Sequence, residues 1–388
     1  MKLKLCQKFC SDINTSIAAK SMKHINLTKF ALYFMLALIC SLSIQNASKA
    51  ANSSNTPELV APLGLCKAAA QMLNEEKFVL IDGIEQWITI KGERCDNPVI
   101  LFVHGGPANP MSPYAEAIYG AWQKDFTVVQ WDQRGGGKTF IRNPSTADQN
   151  LSIEQMAADG IAVTQYLRQV LAKDKLILMG SSWGSALGMQ IVKTRSDLFI
   201  AYIGTAQIVS QKLNQEASYA KTLAKARAAA DQQTVKTLED IGSPPWLNPR
   251  NFGVLRRVTK VYEAKTSTAP PKNWWIPAAS YKMEEMEAQY EAGEDYSFLQ
   301  FVGLKNDGMY SKIDFPAMGL VFNIPIFLVQ GEEDLVTVPE VSKAYFEQIQ
   351  APVKAYMLVP KAGHNPNFAS IAMEYKVLKE QVLPLIKN

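Results

Sequence analysis

The sequence predicts an α/β protein whose mostly parallel, eight-stranded sheet is covered by helices on both faces. Three observations carry that expectation. Inner runs such as Pro98–Val103 and Phe126–Trp131 are apolar almost without interruption. Strands buried on both faces need this, whereas one-sided strands alternate. Segments with helical spacing separate the runs, the rhythm of parallel strands joined by crossovers. That rhythm stops between about Gln207 and Phe322 and then resumes, so a helical insertion divides the sheet-forming sequence. The expected organisation is therefore a leader over 1–50, a first sheet portion over 51–206, a helical lid over 207–322 and a second sheet portion over 323–388.

The first fifty residues read as an export signal. The apolar run Phe30–Ile44 follows several lysines and precedes Ser48-Lys49-Ala50, a small-x-small pattern placing cleavage after Ala50. About fifteen apolar residues fall short of the roughly twenty that span a bilayer, so no stable membrane anchor is expected after cleavage. Met22 offers an alternative start to Met1. The segment holds seven lysines and one aspartate, so the formal net charge of +4 becomes −2 for the remainder. The basicity belongs to targeting, and a nucleic-acid partner is not implied. A periplasmic or secreted protein is expected. Only Cys66 and Cys95 remain after cleavage. They form either one disulfide, which an oxidising compartment permits, or two separate buried thiols.

The chain then runs in order. Ala68–Leu73 is read as a short helix. Lys77–Ile81 and Ile84–Ile90 flank Asp82-Gly83, a strong hairpin signal, and make an antiparallel edge. Tyr114–Lys124 reads as a helix between the strands Pro98–Val103 and Phe126–Trp131. Ser152 with Gln155 three residues on caps a long amphipathic helix to Leu171. Leu176–Met179 and Ile200–Ala206 are further strands. The insertion carries an Ala/Lys-rich helical run over Gln215–Thr237, two Pro-Pro breaks and clustered aromatics. Ile324–Gln330 and Val353–Val359 complete the strands, with helices over Pro339–Ile349 and from Phe368 to about Leu383.

Gly180-Ser181-Ser182-Trp183-Gly184 carries the chemistry. It matches G-x-S-x-G between a strand and a helix, the context in which a serine hydroxyl is lifted above a sheet on a tight turn. Glycines at both ends let the backbone segments approach closely. A serine needs a base, and the base needs a group to orient it. Of three histidines, His24 lies in the leader and His104 sits in a Gly-Gly-Pro turn, leaving His364 as the base. The acid is expected after a strand, between serine and histidine; Asp334 in Gly331-Glu332-Glu333-Asp334 is the choice, with Glu333 its rival. The N–H groups of Gly106 and Trp183 are expected to hold an oxyanion. Gly135-Gly136-Gly137-Lys138-Thr139 ends like a phosphate loop, but Asp132 stands where its first glycine belongs, so it reads as a turn beside the site.

Taken together, His104-Gly105-Gly106-Pro107, Trp131-Asp132-Gln133-Arg134-Gly135-Gly136-Gly137, Gly180-Ser181-Ser182-Trp183-Gly184-Ser185 and the Asp334 and His364 loops resemble the α/β-hydrolase superfamily, and within it the proline iminopeptidase group. The resemblance spans about Phe78 to Leu383 outside the lid; Ala108 replaces a glycine common after H-G-G-P. It implies an α/β-hydrolase fold and release of N-terminal residues, often proline, without metal or organic cofactor. It also implies lid carboxylates that hold the substrate's free amine. Glu216 is the first candidate, with Glu284, Glu285 and Glu287 as others. Trp274 and Trp275 are expected either to wall a small-substrate pocket or to pack in the lid's own core. The substrate is then a small peptide; an ester, amide or lactone on the same machinery is the alternative. A non-catalytic binding protein on this fold is a remote third reading.

Overall fold

A computed structural model describes residues 64–144, 148–282 and 284–387. The expected leader and its cleavage position lie outside the described residues.

The chain opens with the hairpin β1 (Leu73–Ile81) and β2 (Ile84–Gly92), in which Ile81 pairs with Ile84 across Asp82-Gly83. Both turn residues have positive φ, 44° and 82°, the backbone twist that two-residue hairpins select. The helix expected at Ala68–Leu73 is a turn instead: Leu73 already belongs to β1, whose pairing with β2 wins over local helix propensity. A disulfide joins Cys66 to Cys95, tying the segment before β1 to the loop after β2.

β3 (Val99–Val103), α1 (Ala115–Tyr119), β4 (Thr127–Trp131), α2 (Gly137–Arg142), α3 (Ile153–Val170), β5 (Leu176–Ser181), α4 (Trp183–Thr194) and β6 (Phe199–Thr205) follow. Ser152 accepts the Gln155 N–H at 3.1 Å and starts α3 as its cap pattern requires. Four helices then intervene without a strand of the sheet: α5 (Gln211–Ala228), α6 (Gln232–Ile241), α7 (Pro249–Thr266) and α8 (Glu284–Val302). The Ala/Lys-rich run is two helices because Ala230 turns to φ 52° and Asp231 caps α6 through the Thr234 N–H at 3.1 Å. α7 went unread in the sequence, although Asn248-Pro249 is a cap followed by proline in the first turn. The chain then gives β7 (Ile326–Gly331), α9 (Pro339–Gln348), β8 (Lys354–Val359) and α10 (Phe368–Val377), which runs on through a π-helical turn, Leu378–Val382, into a last helix, Leu383–Lys387. No described helix is long and apolar enough to cross a membrane.

The eight strands lie in the order β1-β2-β4-β3-β5-β6-β7-β8. β1, β2 and β4 pair antiparallel, and every pairing from β4 through β3 to β8 is parallel. Alternate residues of the inner strands face opposite layers. Leu101, Val103 and Leu178 pack with Val163, Leu167, Leu187 and Ile191 of α3 and α4. Ile100, Phe102, Ile177 and Met179 pack with Ile118 of α1 and Ile371 and Val377 of α10. Burial on both faces explains why these strands are continuous apolar runs.

Candidate active site

Ser182 stands alone between β5 and α4, with φ 53° and ψ −120°. A residue other than glycine held there costs roughly 1–3 kcal/mol, so its surroundings must impose the turn. They do so through the flanking glycines. A Cβ on Gly180 would overlap the Gly184 carbonyl, and one on Gly184 would overlap the Val103 carbonyl at the end of β3. Helix α4 therefore begins directly at the strand ends, with Ser182 immediately ahead of its positive N-terminal end.

His364 reaches Ser182 from the loop after β8. Its Nε2 lies 2.9 Å from Ser182 Oγ, and its Nδ1 lies 3.1 and 3.2 Å from the two Asp334 carboxylate oxygens. With Nδ1–H donating to Asp334, Nε2 is left to accept the serine proton. Asp334 is fully buried after β7 and accepts from the Val336 and Thr337 N–H groups, both at 2.8 Å, the Thr337 hydroxyl at 2.6 Å and Gln330 Nε2 at 2.9 Å. Burial works to raise its pKa, yet the His364 charge and these hydrogen bonds outweigh it and hold the carboxyl below its ordinary value. Its rival Glu333 instead accepts from Lys225 at 3.1 Å and the Thr266 hydroxyl at 2.7 Å.

Sequence reasoning missed a second buried carboxylate, Glu263 of α7. It accepts the Leu335 N–H at 2.7 Å and the His364 N–H at 3.3 Å, and so joins the acid loop to the histidine loop. Burial and the nearby Asp334 charge raise its pKa.

The Gly-rich loop after β3 carries Gly106 at φ 116° and Ala108 at φ 64°, so the backbone at Ala108 too is one that favours glycine. His104 supports this loop. Its Nδ1–H donates to the Gly105 carbonyl at 2.9 Å and its Nε2 accepts the Gln133 N–H at 3.1 Å. Gln133 returns a bond to the His104 carbonyl at 2.9 Å and accepts the Trp183 indole N–H at 3.0 Å. One glutamine thus fastens three loops around Ser182. Asp132 is buried beside it and accepts from the Ser112 hydroxyl at 2.6 Å and the Lys138 N–H at 2.9 Å. The glycine turn that follows leads into α2, and Lys138 lies over the rings of Trp87 and Tyr281 rather than in a phosphate cradle.

Ser182, His364, Gly105 and Gly106 open on a cavity of about 570 Å³, inside the ~300–1,000 Å³ typical of small-molecule sites. Its wall separates the two tryptophans. Trp275 lines it, 39% exposed and edge-on to Tyr114. Trp274 is 7% exposed and packs into the core beneath, so it does not reach the cavity. Glu216 is also misplaced by the sequence reading: it faces a separate surface hollow with Tyr219, Leu223 and Arg227, because α5 turns that side away from Ser182. Glu284, Glu285 and Glu287 are exposed at the start of α8 and line neither cavity beside Ser182. α8 delivers Glu294, which lines both cavities beside Ser182 and takes a hydrogen bond from Asn109 Nδ2, and Asp295, which lines the smaller one; burial raises the pKa of Glu294. Gly293 packs on Phe140 and the Ser297 hydroxyl donates to the Gly135 carbonyl at 2.8 Å, which presses α8 onto the glycine turn.

The sequence pattern of the serine aminopeptidase family, S33, matches residues 95–368. A Bacillus subtilis protein named Probable aminopeptidase YbaC is 28% identical over 299 residues, covering 75% of this chain and 91% of that one. A proline iminopeptidase of Arabidopsis thaliana is 22% identical over 307 residues, 75% of each chain. Among solved structures, proline iminopeptidase from Mycobacterium smegmatis aligns with a TM-score of 0.56 at 18% identity, covering 81% of this chain and 98% of that one. By the span of that pattern and by its sheet order, the chain belongs to the serine aminopeptidase S33 family of hydrolases and has the α/β-hydrolase fold.

Proposed function

We propose that this protein is an exported serine aminopeptidase that releases N-terminal residues from short peptides, in the manner of proline iminopeptidases. The observation that carries the reading is the 2.9 Å contact between Ser182 Oγ and His364 Nε2 at the wall of a cavity of small-molecule size. Ser182 attacks the carbonyl of the first residue and its proton passes to His364, whose positive charge Asp334 balances. The N–H groups of Gly106 and Trp183 hold the oxyanion, each worth about 3 kcal/mol in the transition state. Collapse of the tetrahedral species expels the peptide amine, protonated by His364. Water then attacks the acyl-serine with His364 as base.

Glu294 is the lid carboxylate that takes the substrate's free amine, a role for which the sequence offered Glu216, Glu284, Glu285 and Glu287 as candidates. Helices α5 to α8 act as the lid and leave room for a small substrate. The Cys66–Cys95 bridge supports an oxidising destination, in keeping with the leader. Turnover of proline p-nitroanilide, set against p-nitrophenyl butyrate, tests the assignment. Anilide cleavage is expected; strong ester cleavage with none of the anilide would establish the esterase alternative. Fluorophosphonate labelling lost in Ser182→Ala tests the nucleophile, and no labelling of the wild type would favour a binding protein.

A further inference from the structure

Two cations on α7 face the cavity without a partner. Arg256 and Lys260 stand one helical turn apart, so their side chains share a face, and both line the same cavity as Ser182 and His364. Several other cations of α5 to α7 are engaged: Lys221 with Glu340, Lys225 with Glu333, Arg227 with Glu239, Lys236 with Asp240, and Lys265 over the Tyr262 ring; Arg250 and Arg257 of α7 line neither cavity beside Ser182. Among the described residues, neither the Arg256 guanidinium nor the Lys260 ammonium has a hydrogen bond, ion pair or ring contact; Arg256 is bonded only through its backbone, where its carbonyl accepts from the Thr259 hydroxyl.

The carboxylates nearest in influence to Arg256 are already committed, Glu263 to two backbone N–H groups and Asp334 to His364 and Thr337. Arg256 is half-buried, burial lowers the guanidinium's pKa, and the charge has no acceptor of its own. A planar guanidinium is built to receive a carboxylate through two parallel N–H bonds. Arg256 also lines a smaller adjoining cavity of about 240 Å³, shared with Ser182, Asn109, Glu294 and Asp295, and neither carboxylate is within ion-pair distance of it. The nucleophile thus lies in one cavity with anionic groups and a cationic one.

We infer that Arg256, assisted by Lys260 at the exposed edge, binds the free C-terminal carboxylate of the substrate, so that the preferred substrates are dipeptides. This rests on the aminopeptidase reading and narrows it. Hydrolysis consumes one water and yields two free amino acids. The amine of the first residue sits at Glu294 and the carboxylate of the second at Arg256, with the scissile carbonyl between them at Ser182. A longer peptide carries an uncharged amide where Arg256 needs an anion.

The test compares kcat/KM for Pro-Ala, Pro-Ala amide and proline p-nitroanilide, with Pro-Asp amide and Pro-Asn amide as a side-chain control. A charged hydrogen bond of this kind is expected to favour Pro-Ala over its amide by about ten- to a hundredfold. Arg256→Gln should collapse that ratio towards one, mainly through KM, and Lys260→Gln should lower it less. The second variant keeps the test alive if the first fails to fold. Equal kcat/KM for acid and amide in the wild type would overturn the inference alone, as would an Arg256→Gln loss of the same size on both substrates. Preference for Pro-Asp amide over Pro-Asn amide without preference for the free acid would also overturn it. Failure to cleave any of them would remove the aminopeptidase reading as well.

Discussion

Glu263 accepts the backbone N–H of His364 at 3.3 Å across 101 residues of chain, which makes a lid helix part of the support of the histidine loop. Removing the carboxylate strands that part-buried N–H and the fully buried Leu335 N–H. Each stranded group costs about 1–3 kcal/mol. Glu263→Ala is therefore expected to lower Tm and to reduce kcat, while Glu263→Gln, which still accepts through its carbonyl oxygen, recovers most of the Tm. Thermal unfolding and kcat measured on both variants check this. Equal losses in the two would mean that the charge, and not the acceptor, is what the site needs.

Ser182→Ala is expected to lower kcat by about a millionfold while leaving Tm near that of the wild type, since the substitution keeps the Cβ and the strained turn. Ser182→Gly, which relieves φ 53°, should keep the protein inactive and raise its stability. Calorimetry of the pair separates catalytic loss from folding; a large drop in Tm for Ser182→Ala would show that the hydroxyl holds the turn together.

The residues legible in the sequence are those whose chemistry needs a local pattern. Ser182 is marked by the two glycines that let α4 meet β3, and the sheet by apolar runs that burial on both faces demands. His364 and Asp334 followed from position after strands, which the register of β7 and β8 then fixes. Glu263, Arg256 and Glu294 had no such mark. Each looks like one more charge on a charged helix, and which face of α7 or α8 turns inward depends on long-range contacts such as Gly293 against Phe140. Trp274 and Trp275 are adjacent and chemically identical, yet one is core and the other cavity wall, because the short turn at Lys272–Trp275 sends them in different directions.

Gly184→Ala is expected to abolish soluble expression or to leave a protein without activity. The added methyl has no flexible side chain to push aside, because it overlaps the backbone carbonyl of Val103 in a central strand. Relief requires α4 to lift off the sheet, and overpacking in a tight interior typically costs about 1–3 kcal/mol or more. Gly83→Ala, at a hairpin turn with nothing within 4 Å, meets no clash and only the cost of its φ of 82°. Expression and Tm of the two variants, side by side, check the contrast.

Reducing the Cys66–Cys95 bridge should lower stability by about 3–4 kcal/mol in the chain-entropy model for a separation of 29 residues. The bridge fastens the segment ahead of β1 to the loop after β2, far in sequence from Ser182. Unfolding in denaturant with and without reductant should therefore shift its midpoint, while kcat measured at low temperature stays constant.

The acid side of the stability profile is expected to depend on His104. Burial holds its imidazole at about 4, against 6.5 ordinarily, although the Gly105 carbonyl pulls the other way. The unfolded chain therefore binds more protons than the folded one between those two values. The contribution is complete above about 6.5 and is lost as pH falls towards 4, amounting to about 3 kcal/mol at 1.36 kcal/mol per pH unit. Asp132, raised to about 6, and Glu374, raised to about 8, both by burial, act in the opposite sense. Folded, they bind protons more tightly, so their terms favour the native state at low pH and weaken as pH rises through those values. The wild-type profile alone mixes all three. The difference between wild type and His104→Gln isolates the first, because glutamine can still accept the Gln133 N–H without taking up a proton. That difference should shrink by about 3 kcal/mol between pH 7 and pH 4. A difference that stays constant across the range would mean that His104 titrates alike in the folded and unfolded chain.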